Sequence, residues 1–180
     1  KAYRDGEYDI KGFLDSKTDA LDGLKGDYPP IICAPETYTI QEDDVFFVAM
    51  GDPYWRKHYA KMMENKGAKF MSIICAGSYV NPTAAVGDGS FIAVWSCISA
   101  NVTLGKHTMV HSFSTVGHDV KIGNYSSVEA YSFLGGYAEI GEESVMHVRS
   151  PLIAHKKIGN NVSVGANSVV MRNVRDGLHV

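Results

Sequence analysis

At 180 residues, 45% apolar and 21% charged, the chain can bury a sizeable core and has the composition of a globular protein. A formal net charge of −3 and the lack of any Lys/Arg run argue against a nucleic acid or an anionic membrane surface as partner. The longest purely apolar run, VFFVAM at 45–50, is far short of the roughly 20 residues a membrane helix needs. Cys33, Cys75 and Cys97 match neither a disulfide framework nor a zinc knuckle, so a reduced cytoplasmic protein is expected.

In chain order, YDIKGFLD at 8–15, PPIICAP at 29–35 and DDVFFVAMG at 43–51 read as strands, the last apolar enough to be buried on both faces. Asp52 is a good helix N-cap and Pro53 suits the first helical position. Tyr59, Met62 and Met63 mark an apolar face, and Gly67 suits the helix end. FMSIIC at 70–75 returns as a strand. Strand, glycine turn, helix and strand make a βαβ unit, which predicts a small α/β parallel-sheet domain over 1–76. Ligands of such sheets sit at the carboxyl ends of strands, near Asp15 and Gly51 in this chain. GDPYWR after the strand is a weak anion-site signal, and no GxGxxG or P-loop occurs.

From Ser78 onward the rule changes to a period of six. Val80, Val86, Ile92, Ile98, Leu104, Val110, Val116, Ile122, Val128, Leu134, Ile140, Met146, Leu152, Ile158, Val164 and Val170 share one register without a slip. Two positions before each, the residue is usually small or β-branched, as in Ser90, Ser96, Ser114 and Ser126. Heptads cannot give this period, and the repeat reads as a parallel β-helix over 77–180. Gly87, Gly105, Gly123, Gly141 and Gly159 fall 18 apart, so three hexads form one coil with a corner that needs a residue without Cβ. About five coils at ~4.8 Å spacing predict a prism on the order of 24 Å tall.

Stacking at 18 places His111, Glu129 and His147 in one column, a metal site or a polar surface ladder. Two imidazoles and one carboxylate fall short of the converging set zinc prefers, so no metal is expected. The hexapeptide-repeat zinc carbonic anhydrases pair two histidines five apart, and this chain has no such pair. His118 stands next to Asp119 at a corner of the middle coils. An imidazole can take a proton from an amine or hydroxyl at neutral pH, and a carboxylate can fix its tautomer. Adjacent strand residues point to opposite sides, so the pair works only if the corner bends the chain. Ser112 and Ser114 lack a GxSxG context, which argues against a serine hydrolase.

VGHDVKIGNYSSV at 116–128, with FLGG at 133–136, resembles the hexapeptide-repeat acyltransferases, in particular the sialic acid O-acetyltransferase and bacillosamine-pathway sugar N-acetyltransferase type. GFLD at 12–15 and VAMGDPYWR at 48–56 resemble that branch's N-terminal sugar-nucleotide-binding domain. The resemblance implies a left-handed coil, a homotrimer, and an acetyl-CoA site between neighbouring prisms. By it His118 is the general base and Asp119 its orienting partner, and no metal is required. Gly135 and Gly136 let the CoA arm approach the backbone, and Asp15, Gly51 and Arg56 lie near the nucleotide or sugar of the acceptor. Ser127 stands near the donor where the branch has a second histidine, and His111 where it often has an asparagine. The branch's glycine-rich loop is expected upstream of Lys1, and its closing tail beyond Val180. The expected function is acetyl transfer from acetyl-CoA to an amine or hydroxyl of a sugar or nucleotide-sugar. The alternative is a non-catalytic trimeric module that binds sugar nucleotides or serves assembly.

Overall fold

The structure, a computed structural model, describes residues 8–180 and the short strand Ala2–Tyr3. The six-residue rule becomes a three-sided stack of two-residue strands, all paired in parallel with the strand 18 residues away. One face carries Phe91–Ile92, Met109–Val110, Ser127–Val128, Val145–Met146 and Ser163–Val164. The second carries Tyr79–Val80, Cys97–Ile98, Thr115–Val116 and Phe133–Leu134, extended by bridges through Leu152 and Val170. The third carries Ala85–Val86, Thr103–Leu104, Lys121–Ile122, Glu139–Ile140 and Lys157–Ile158. The second residue of each strand points inward, and Ile92 through Val170 form one continuous buried core.

The preference for small residues two positions earlier has a hydrogen-bonding cause. Ser126 Oγ donates to Gly141 O at 2.6 Å and accepts from Ser144 N at 3.0 Å; Ser90 Oγ does the same with Gly105 O and Thr108 N. A short hydroxyl therefore satisfies backbone groups of the next coil that would otherwise be buried without partners. Glycine at the 18-residue spacing answers a close approach: a Cβ on Gly123 would lie 2.6 Å from Glu142 N and Gly141 C. Strain sits elsewhere. From Trp95 to Asn167 every sixth residue has φ between 53° and 62°, and none of them is glycine. Each corner thus turns through a left-handed residue, at roughly 1–2 kcal/mol apiece, held by the ladders on either side.

The chain before the prism follows its expectation less closely. After β1 (Ala2–Tyr3) come β2 (Phe13–Leu14), β3 (Ile31–Cys33), β4 (Val45–Phe46), α1 (Pro53–Asn65), β5 (Lys69–Phe70) and β6 (Ser72–Ile74). The strands expected over 8–15 and 43–51 shrink to two residues each, and β4 is only half-buried because it borders an open cleft. Instead of one parallel sheet there are two separate parallel ladders, β2 with β3 and β4 with β5. FMSIIC divides: β5 pairs with β4, whereas β6 joins the first prism face beside Phe91–Ile92. The stack therefore starts before residue 77, and that face has seven strands including β1, more than the five coils expected.

Helix α1 begins as its sequence predicts. Asp52 caps it by accepting from Trp55 N at 3.1 Å, and Gly67, at φ 90°, lets Ala68 N return to Met63 O. Its buried face is centred on Arg56, Ala60 and Met63, while Tyr59 and Met62 are only half-buried. Ion pairs of Lys57 with Glu143 and of Glu64 with Lys106 tie the helix to the prism.

Candidate active site

His118 and Asp119 close the corner after the strand Thr115–Val116. Asp119 has φ 59°, so the chain bends there and the two adjacent side chains turn toward each other. His118 Nδ1 lies 2.9 Å from Asp119 Oδ2, and Asn101 Nδ2 donates to Asp119 Oδ1 at 3.3 Å. A carboxylate can only accept, so it fixes the proton on Nδ1 and leaves the Nε2 lone pair as a base. The hydrogen bond from His118 is the main reason the Asp119 carboxyl is held below its ordinary range, with Asn101 adding to it against partial desolvation. The imidazole is 58% exposed, so a substrate can reach it.

Gly136 borders the same ring. A Cβ on it would stand 2.7 Å from His118 Nε2, so glycine keeps the basic nitrogen clear. On the next coils Tyr137 meets His118 edge to face at 5.1 Å between ring centroids and stacks on His155 at 5.0 Å. Asn101, Tyr137 and His155 were missed in the sequence, although writing it in rows of 18 aligns all three with Asp119. Gly135, expected to admit the CoA arm, is buried, and its missing Cβ makes room for the backbone of Ala154 on the coil above.

The expected acceptor residues separate into two places. Asp15 and Gly51 line a cleft of about 800 Å³ with Phe13, Leu14, the rest of the segment 45–52, and Tyr59. Asp15 Oδ1 accepts from Lys17 N at 2.8 Å, which shapes the loop after β2. Nothing in the fold demands glycine at 51, since a Cβ there meets no atom within 4 Å. Neither His118 nor Asp119 lines this cleft.

Arg56 and Ser127 are both withdrawn from solvent. Arg56 is 0% and Ser127 3% exposed, and the arginine donates to the serine Oγ at 2.8 Å. Both lie between α1 and the prism rather than on an open surface, so neither can contact a ligand directly in this conformation. His111 is half-buried against Phe91; burial first, then Arg56, makes its protonation harder, while Glu129 opposes them. In the column above it, His147 bonds Glu129 Oε1 at 3.1 Å through Nδ1 and Ser163 Oγ at 3.2 Å through Nε2. Both of its ring nitrogens are thereby engaged, and no group of three potential metal ligands is found among the described residues.

Residues 101–136, which contain His118 and Gly136, match the family "bacterial transferase hexapeptide (six repeats)". The match falls on six consecutive hexads of the prism. No curated protein sequence matches the chain. Among solved structures, the hexapeptide array and the segments before it resemble PerB from Caulobacter crescentus in complex with CoA and GDP-perosamine. The identity is 23%, the TM-score 0.85, and the alignment covers 93% of this chain and 80% of that one. The acetyltransferase domain of PglB from Neisseria gonorrhoeae, in complex with acetyl coenzyme A, is similar at 25% identity and TM-score 0.85, with 94% and 82% covered. WeeI from Acinetobacter baumannii shares the fold at 18% identity, TM-score 0.64, and 94% and 81% coverage. The resemblance to hexapeptide-repeat sugar acetyltransferases seen in the motif thus extends to the structure of nearly the whole chain.

Proposed function

We propose that this protein is an acetyl-CoA-dependent acetyltransferase acting on an amine or hydroxyl of a sugar or nucleotide-sugar, with His118 as general base. The observation that carries it is the His118–Asp119 pair, which presents an exposed imidazole with its lone pair at Nε2. The acceptor nucleophile attacks the thioester carbonyl as its proton passes to Nε2. Asp119 steadies the imidazolium that forms. Collapse of the tetrahedral intermediate breaks the C–S bond, and the departing thiolate takes the proton from Nε2, which restores the neutral ring.

The acceptor reading places a nucleotide-sugar in the cleft of Asp15 and Gly51. It is supported by the PerB complex with GDP-perosamine, and the donor by the PglB domain bound to acetyl coenzyme A. In this reading 1–76 is an α/β nucleotide-sugar-binding domain and 77–180 a left-handed β-helix. The working unit in this reading is a cytoplasmic homotrimer. An exposed ladder at one corner supports the trimer: Trp95, Phe113 and Tyr131 stack at 4.8–4.9 Å, with Arg149 over Tyr131. Such a surface suits contact with further copies. A second reading, a non-catalytic nucleotide-sugar-binding platform, is favoured by Ser127, which replaces the second histidine of the resembling branch and is buried.

Melting of the purified protein with acetyl-CoA, and with UDP and GDP as comparators, separates the two. Saturation at ~100 times the dissociation constant adds about 2.7 kcal/mol per site. A shift with acetyl-CoA, followed by thiol release with amino-sugar nucleotides that drops 10²–10⁴-fold in His118→Ala, supports the enzyme. Nucleotide binding without any acetyl-CoA shift supports the platform.

A further inference from the structure

Arg56 is fully buried, and among the described residues no carboxylate pairs with it by hydrogen bond. Burial pulls it down only to about 10, with Asp52 partly opposing the shift, so the guanidinium stays charged at neutral pH. All five of its N–H groups are used. Nε donates to His107 O at 2.9 Å, and Nη1 donates to Met50 O at 2.7 Å and Gly51 O at 2.8 Å. Nη2 donates to Tyr125 O at 2.5 Å and Ser127 Oγ at 2.8 Å.

These acceptors belong to two functional places. Met50 and Gly51 form the rim of the cleft. His107 and Tyr125 occupy the same corner of successive coils, stacked with ring centroids 5.4 Å apart, and the coil between them carries His118 and Asp119. One planar cation thus fastens the cleft rim to both ends of the coil that bears the base. A hydroxyl at position 127 is small enough to complete the set under the helix.

We propose that Arg56, completed by Ser127, is a positioning residue that fixes the nucleotide-binding cleft in register with the His118 coil. The proposal rests on the cleft being the acceptor site, as in the function proposed above. A lysine keeps the charge but offers three donors in place of five, and no planar fork. Arg56→Lys is therefore expected to loosen the rim, and Ser127→Ala to do so more mildly.

Calorimetric titration of UDP, GDP and acetyl-CoA into the full chain and both variants tests this, with melting followed alongside. Expected is at least a tenfold weaker dissociation constant for the nucleotide the wild type binds in Arg56→Lys, about threefold in Ser127→Ala, and acetyl-CoA affinity within twofold. A merely structural arginine would lower the melting temperature and the active fraction while leaving nucleotide affinity unchanged, and that result overturns the proposal. Should Arg56→Lys fail to fold, unchanged nucleotide affinity in Ser127→Ala overturns it as well. If the wild type binds neither nucleotide, the cleft loses its assignment and the proposal falls with it; acetyl-CoA binding then reports separately on the acetyltransferase reading.

Discussion

Whether His118 can act depends on two neighbours that work through geometry. Asp119 reaches the ring only because its own backbone adopts φ 59°, and Gly136 keeps Nε2 uncovered. A methyl at 136 would press on the tip of an exposed side chain, which can swing away at little cost to the fold. Gly136→Ala should therefore melt within a few degrees of the wild type and lose more than tenfold in turnover, because the displaced imidazole no longer meets its substrate. Steady-state thiol release beside a thermal melt checks this; a full-rate Gly136→Ala enzyme would show that Nε2 is not the reacting atom. The candidate base was legible in the sequence as a residue type at a corner. Asp119 was named as its partner through the resemblance, but the contact itself was not legible, since ordinary strand alternation sends neighbours to opposite sides.

At the level of elements, each two-residue strand is stable only through the coils above and below it. This makes the stack close to one-dimensional, with local defects felt by adjacent coils. Gly123 shows where tolerance ends. Its absent Cβ would meet backbone atoms of Gly141 and Glu142, and that backbone is held in the ladder by Gly141 N to Ile158 O at 2.8 Å. Gly123→Ala is expected to cost about 1–3 kcal/mol of stability, measured as a lower urea midpoint. The 18-residue glycine column was readable because close approach demands one residue type. Strand lengths before the prism were not, because half-buried segments around a cleft take their length from packing rather than from apolarity. The left-handed corners were equally hidden: Trp95, Phe113 and Tyr131 carry no local turn signal.

For the whole molecule, the junction between α1 and the prism holds a second buried titratable group. His107 is 0% exposed, stacked on Tyr125 and met edge-on by Phe70. Neither of its ring nitrogens has a hydrogen-bond partner among the described residues. Burial is the main cause that lowers it from 6.5 to about 4; Arg56 and Lys106 add to this, and Glu64 and Asp88 oppose it. The unfolded chain therefore takes up this proton first on acidification. The neutral ring's contribution is complete above about pH 6.5 and is lost as pH falls toward about 4, on the order of 3 kcal/mol in all. His107→Phe removes this proton uptake, so its urea midpoint should fall less than the wild type's between pH 6.5 and 4. Parallel curves for the two proteins would mean that other groups govern acid stability.

Taken alone, the sequence determined the prism, its register, its glycine corner, its buried aliphatic column and the candidate base, because a six-residue repeat restates one local rule many times. Only the tertiary structure decided how His118 meets Asp119, that Ser127 lies beneath Arg56, and that the cleft rim is tied to the coil carrying His118. Those contacts depend on backbone bending at a corner and on residues up to 71 positions apart. The docking of a helix on a prism brings them together, and no local pattern encodes it.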